Sequence, residues 1–222
     1  MVFKNREEAG KKLTAKLKDF QNKKNLIVLA IPRGGLVVGK ELSYVLNCPL
    51  DIIVIKKIGA PGNPELAIGA VSAIGKPVIN KELAAKVGAD EQYLQKEIAS
   101  RQTEVARRIK EYRGDKPPLN LRNKIVIITD DGVATGATME AAVGAVRQQE
   151  PKKVIVAIPV IARDSLKKLE EKADGVVYLD APLMFFAVGQ FYQDFPQTTD
   201  EEAIDLLREK GTDWFLGETK KP

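Results

Sequence analysis

The chain has no histidine. That absence excludes a Ser-His-Asp triad, a Cys-His pair and a His-ligated zinc site. Any proton transfer must fall to Asp, Glu, Lys, Tyr or the substrate itself. Cys48 is the one thiol, so no intramolecular disulfide can form, which fits a reducing cytoplasm. It stands in the apolar stretch 46–50 and reads as a small core residue rather than a nucleophile. Aromatic residues make up only 6% of the 222 residues. No apolar run approaches the ~18 residues that a membrane span needs. The charged start, MVFKNREEAGKKLTAKLKDF, lacks the apolar centre of a signal peptide.

What is present is ordinary globular material. Hydrophobic residues are 44% and charged residues 29%, enough to bury a sizeable core. The length suits one domain over residues 1–222 with a modest elaboration. A formal net charge of +5 permits an anionic partner, and a solvated surface also accounts for it. The first segment reads as an amphipathic helix. Asn5 caps it, Glu8 completes a capping box, and Leu13, Leu17 and Phe20 share one face. Glu7, Glu8 and Asp19 argue against a basic targeting helix.

Apolar runs of strand length recur at residues 26–31 (LIVLAI), 51–55, 124–129 (KIVIIT), 153–158 (KVIVAI) and 176–179 (VVYL). They are continuous rather than alternating, which suits strands covered on both faces of a parallel sheet. Helical patterns over residues 35–46, 137–149 and 164–172 separate most of them. The expectation is an α/β fold with a mainly parallel sheet flanked by helices. Residues 66–75 read as short antiparallel strand or loop. A helical insertion follows over about 76–120, where Tyr93, Ile98, Val105 and Ile109 form a docking stripe.

Ligands of open parallel sheets collect beyond the carboxyl ends of the strands. After the third run come Asp130, Asp131, Gly132, Val133, Ala134, Thr135, Gly136, Ala137 and Thr138. The small residues bare the backbone, so its N–H groups can face an anion at the start of a helix. Thr135 and Thr138 add hydroxyl donors. The two carboxylates suit the vicinal hydroxyls of a sugar phosphate. A tight strand-to-helix turn with an Asp cap is the plainer alternative.

The segment VIITDDGVATGAT (126–138) resembles the phosphoribosyl pyrophosphate signature of the type I phosphoribosyltransferases. The order and spacing of elements agree from about residue 22 to residue 195. The resemblance implies a loop after the first strand that holds pyrophosphate, often with a strained peptide bond. Here that loop carries Arg33, Gly34 and Gly35. GGLVVGKE (34–41) nearly matches a P-loop, but Glu41 replaces the hydroxyl that should hold magnesium, which disfavours an unrelated kinase. After the second strand, Gly59, Pro61, Gly62 and Pro64 mark an irregular loop. In the family a mobile loop here closes over the reaction, with Lys56 and Lys57 as candidates on the pyrophosphate and Glu65 a weaker one. A C-terminal hood, residues 179–200, would select the base. Phe185, Phe186, Phe191, Tyr192 and Phe195 crowd into it, and most of them would pack it to the core.

The reaction so implied displaces pyrophosphate from ribose C1 by a ring nitrogen. Arg33, the lysines, backbone N–H groups and magnesium would take up the developing charge. Asp130 and Asp131 would hold ribose hydroxyls and, through water, the metal. The alternative is a regulator that senses phosphoribosyl pyrophosphate and binds nucleic acid. No helix-turn-helix or RNA-reading motif supports that alternative. A homodimer accords with the family, and a last helix at 201–210 leads to Trp214 and Phe215, which pack back on the domain or form a dimer contact.

Overall fold

The five apolar runs pair side by side because each is largely apolar at consecutive positions and needs cover on both faces. The computed structural model describes residues 1–211. Along the chain come α1 (Arg6–Thr14), β1 (Leu26–Ala30), α2 (Gly34–Leu46), β2 (Leu50–Ile52), β3 (Ile55–Ala60), β4 (Asn63–Ser72), β5 (Val78–Ile79), α3 (Lys81–Lys86), α4 (Glu91–Arg113), β6 (Ile125–Thr129), α5 (Ala137–Arg147), β7 (Lys153–Val160), α6 (Arg163–Glu170), β8 (Gly175–Asp180) and α7 (Asp200–Gly211). The central sheet has the order β2-β1-β6-β7-β8. Its pairings are parallel throughout, with Val28 opposite both Leu50 and Ile127.

Alternation along β1 divides the core. Leu26, Val28 and Ala30 join Leu36 and Leu42 of α2 with Ala203 and Leu207 of α7. Ile27, Leu29 and Ile31 join Val143 of α5 and Leu169 of α6 on the other face. Cys48 is buried in the first of these layers. Trp214 and Phe215 lie outside the described residues.

The elaboration begins earlier than the sequence suggests. The second strand stops at Ile52, and Ile55 already opens a separate antiparallel sheet, β3-β4-β5. The expected irregular loop at residues 56–65 is a bulged hairpin. Gly62, at φ +71°, makes the turn after Pro61, and register shifts flank Gly59. Gly59 lies so close to Pro64 that a Cβ would fall 2.6 Å from its carbonyl oxygen. The glycines and prolines therefore shape a hairpin rather than break one. Helix α4 clamps it: Tyr93 and Ile98 pack on the layer built from Ile58 and Ile68, and the Tyr93 hydroxyl donates to the Gly59 carbonyl at 2.9 Å. Further along, Val105 and Ile109 join the main core. The docking stripe thus serves two layers.

Two details of the N-terminal segment also differ. Asn5 accepts from the Glu8 N–H at 2.9 Å as expected, but the Glu8 carboxylate receives the N–H of Lys4, at 2.6 Å. The helix ends at Thr14, whose hydroxyl donates back to the Lys11 carbonyl. Leu17 then reaches the same core from a short 3₁₀ turn.

The insertion is tied back by a buried ion pair. Asp51 of β2 and Arg113 of α4 meet at 3.0 Å, their side chains 4% and 7% exposed. Burial pushes the Asp51 carboxyl up despite the facing guanidinium. Removing the arginine would strand a buried charge, which typically costs about 3–5 kcal/mol. Arg113→Met should lose about that much at pH 8 by chemical denaturation. The loss should shrink as pH falls, because an Asp with a raised folded pKa prefers the protonated form in the native state. A pH-independent loss would assign the effect to packing alone.

Candidate active site

Strand β1 leads through α2 to β2 on one side, and β6 leads through α5 to β7 on the other. The two strands are neighbours, so the crevice beyond their carboxyl ends is the natural ligand site. Two loops meet there, residues 31–35 and residues 130–138. A Cβ on Gly34 would lie 2.0 Å from Oδ2 of Asp131, and one on Gly35 would lie 3.0 Å from Cα of Asp130. Glycine is needed at 34 because any side chain would displace that carboxylate. The Pro32–Arg33 peptide bond is cis.

The paired carboxylates differ in their surroundings. Asp131 accepts a hydrogen bond from Nε of Arg6 at 2.7 Å, and its carbonyl accepts the Tyr192 hydroxyl at 2.6 Å. Arg6 also donates to the Pro196 carbonyl at 2.7 Å and lies 3.7 Å from the Phe195 ring centroid. Asp130 accepts the N–H of Asp131 at 2.8 Å, and Arg6 pairs with its neighbour instead. Burial and then the charge of Asp131 push Asp130 well above the usual carboxylate range. Burial raises Asp131 too, with the Arg6 hydrogen bond opposing it. Burial and the Asp131 charge also raise the Tyr192 phenol. A pair so placed favours an incoming hydroxyl donor or cation.

Beyond the pair, Val133 is stitched to the sheet. Its N–H donates to the Val160 carbonyl and its own carbonyl accepts from Ala162, both at 2.9 Å. Its amide is therefore spent within the protein, unlike the expectation for a ligand-facing position. Gly132 packs under the hood, where a Cβ would lie 2.5 Å from Val188. Ala134 and Thr135 are exposed, whereas Ala137 and Thr138 are half-buried. Gly136, at φ +80°, caps α5. The first amides of that helix have no preceding helical carbonyl and can meet an anion.

On the other side of Gly34 opens a cavity of about 400 Å³, lined by Arg6, Arg33, Lys56 and Arg108 together with Gln197 and Thr198. Lys56 pairs with Glu104 of α4. Lys57, next along β3, faces a different cleft with Glu140 and Lys172, as strand alternation requires. The structure thus brings Arg33 and Lys56 together and leaves Lys57 apart. Glu65 is exposed on the hairpin. In the hood, Phe185 packs on Phe191 and Tyr192 on Phe195, each pair at 4.9 Å between centroids. Phe186 alone of the five stands out, 84% exposed.

Sequence reading missed Arg6 and Arg108, and read Tyr192 only as one of the hood aromatics. Arg6 left one signal, a cation in the first turn of a helix, where the helix dipole disfavours it. Arg108 left none, because only the packing of α4 brings it to the cavity. For a metal, no group of three or more His, Cys, Asp or Glu converges among the described residues. The protein offers two carboxylates, which fits an ion held mainly by a ligand's phosphates. No helix among the described residues is long and apolar enough to cross a membrane.

Comparison with known proteins converges on one family. The family described as phosphoribosyl transferase domain matches residues 3–195. A protein of Mycobacterium tuberculosis named "Putative phosphoribosyl transferase" is 36% identical over 206 residues, 93% of this chain. The chain spans about half the length of that relative, 46%. A uracil phosphoribosyltransferase of Metallosphaera sedula is 26% identical over 158 residues, covering 65% of this chain and 73% of that one. The crystal structure of TT1426 from Thermus thermophilus superposes with a TM-score of 0.84 at 39% identity, covering 95% of this chain and all of that one (100%).

The asymmetry of the carboxylates makes a stability prediction. Asp130 is a recessed charge with a like charge beside it, so Asp130→Asn should stabilise the ligand-free protein above pH 7. The gain should be about 2–4 °C in melting temperature, the shift that about 1 kcal/mol produces in a chain of this size. It should shrink as pH falls and vanish below about pH 3, where the carboxyl is protonated in both folded and unfolded states. Scanning calorimetry across that range checks it, and a lower melting temperature at pH 8 would overturn it.

Proposed function

The chain belongs to the phosphoribosyl transferase family, and from that premise we propose that it transfers the 5-phosphoribosyl group of phosphoribosyl pyrophosphate to a ring nitrogen of a nitrogenous base, releasing pyrophosphate. One observation carries the reading. The paired carboxylates sit between a phosphate-ready helix start on one side and a cationic cavity on the other, and Gly34 touches Asp131 at the join.

In this reading the 5-phosphate lies on the amides and hydroxyls of residues 135–138. Asp130 and Asp131 accept the ribose hydroxyls. Arg33 and Lys56, with the bare backbone of Gly34 and Gly35, face the leaving pyrophosphate. The transition state needs stabilised negative charge on the leaving group rather than a protein nucleophile, which agrees with a chain that lacks histidine. Magnesium would arrive on the phosphates, with Asp130 and Asp131 reaching it through water. When bound it would neutralise charge on the leaving group. The exposed ring of Phe186 supports a stacking role for the acceptor base. The single, buried Cys48 supports a reducing, cytoplasmic setting.

Calorimetric titration of phosphoribosyl pyrophosphate with magnesium tests the site. The wild type should bind, and Asp131→Asn combined with Thr138→Ala should weaken binding at least tenfold, since each charge-assisted contact is worth about 1.5–3 kcal/mol. Uracil, hypoxanthine, guanine and other free bases should then be screened for pyrophosphate release. A folded wild type that does not bind, with or without bases, would sink the proposal. Binding without release by any base would favour the sensing role.

A further inference from the structure

We propose that Arg108, on the inserted helix α4, is a second guanidinium for the leaving pyrophosphate, and that Asp200, at the start of α7, holds its place until that anion binds. The inference rests on the phosphoribosyl-transfer reading above and adds to it a residue from outside the loops that follow the sheet strands.

Every cation of the cavity is answered by an acid of the protein itself. Arg6 pairs with Asp131 and Lys56 with Glu104. Arg33 and Arg108 share Asp200, at 3.6 and 4.0 Å. The last two distances exceed the roughly 2.7–2.9 Å of a charge-assisted hydrogen bond. Asp200 lies between two guanidiniums and closes on neither. A tetrahedral polyanion with several oxygens could close on both, bidentate where one carboxylate cannot reach. Arg108 also keeps an unspent donor, because its Nε is buried without a partner.

The elements are placed for such an exchange. Glu104 and Arg108 stand four residues apart on α4 and so share one face. Helix α7 packs against both α2 and α4, which brings Asp200 between Arg33 and Arg108. The Tyr112 hydroxyl donates to Asp200. That bond and the two arginines hold its carboxyl below the usual range, so it is charged at neutral pH. Asp200 is not required to start its helix. Thr199 accepts from the Glu202 N–H at 3.1 Å, and Glu202 accepts from the Thr199 N–H at 2.9 Å, forming the cap independently. Such a carboxylate keeps two like charges together in the ligand-free protein and competes with the anion that replaces it.

The test titrates inorganic pyrophosphate, with magnesium, into the full chain and into Arg108→Gln and Asp200→Asn, with ribose 5-phosphate titrated in parallel. Arg108→Gln should weaken pyrophosphate about tenfold or more and leave ribose 5-phosphate unchanged. Asp200→Asn keeps an acceptor for Tyr112 and removes the competing charge, so it should tighten pyrophosphate severalfold. Arg108→Lys, which restores charge without the fork, should recover part of the loss. Unchanged pyrophosphate affinity in Arg108→Gln would overturn the assignment of Arg108. Weaker binding in Asp200→Asn would overturn the place-holding role and make Asp200 an orienter of the guanidiniums. A wild type that binds ribose 5-phosphate but not pyrophosphate overturns this inference and leaves the sugar-phosphate site standing. A wild type that binds neither ligand overturns both.

Discussion

Asp130 and Asp131 are forced together just beyond the end of a buried, largely apolar strand, and the molecule is arranged around the cost of keeping them there. Two neighbouring carboxylates repel, and burial penalises both. The protein answers with room and with charge. Room comes from Gly34 and Gly35, whose missing side chains let β1's loop press against the pair. Charge comes from Arg6, carried by a helix at the far end of the sequence, and the hood fixes the backbone through Tyr192. The N-terminal helix, the β1 loop and the hood must therefore converge on one edge of the sheet. Answering only one of the two charges with a hydrogen-bonded arginine leaves Asp130 the more strongly perturbed of the pair.

The insertion extends the same economy of charge. The hairpin presents Lys56, α4 presents Glu104 and Arg108, and α7 brings Asp200. The four basic side chains of the cavity face three internal acids, Arg33 and Arg108 sharing Asp200, so most of their charge is balanced while the cations are already gathered. Pairs of this kind at a partly wet surface stabilise little by themselves. Their value lies in position: long basic side chains are held together at the cavity rather than spread into solvent. The buried Asp51–Arg113 pair performs the complementary task of anchoring α4 to the sheet.

The fold was legible where the signal is local. Runs such as LIVLAI and IVIIT are apolar at consecutive positions, and only a strand covered on both faces hides every one of them. The strand-to-helix turn from Asp130 to Thr138 was legible because two aspartates and a run of small residues follow directly on a buried strand and open a helix. Residues 66–75 were legible as short antiparallel strand or loop, and β4 runs through them, but residues 56–65 were misread as an irregular loop because glycine and proline punctuate regular structure and also shape bulges and turns. The hood aromatics were legible only as apolar bulk. Which ring would face solvent depends on the packing of Phe185, Phe191, Tyr192 and Phe195.

By itself the sequence determined the layered α/β architecture, the glycine-rich turn with its paired aspartates and the exclusion of histidine chemistry, because each follows from residue types a few positions apart. The tertiary structure alone decided which charges meet. Arg6 and Asp131 are 125 residues apart, Tyr112 and Asp200 are 88 apart, and Lys56 and Glu104 are 48 apart. No local periodicity encodes such distances. They are set by how α1, α4 and α7 pack on the sheet to bury their apolar faces, and the polar side chains are carried to the site by that packing. Even adjacent Lys56 and Lys57 part company, because strand geometry sends one into the cavity and the other into a different cleft.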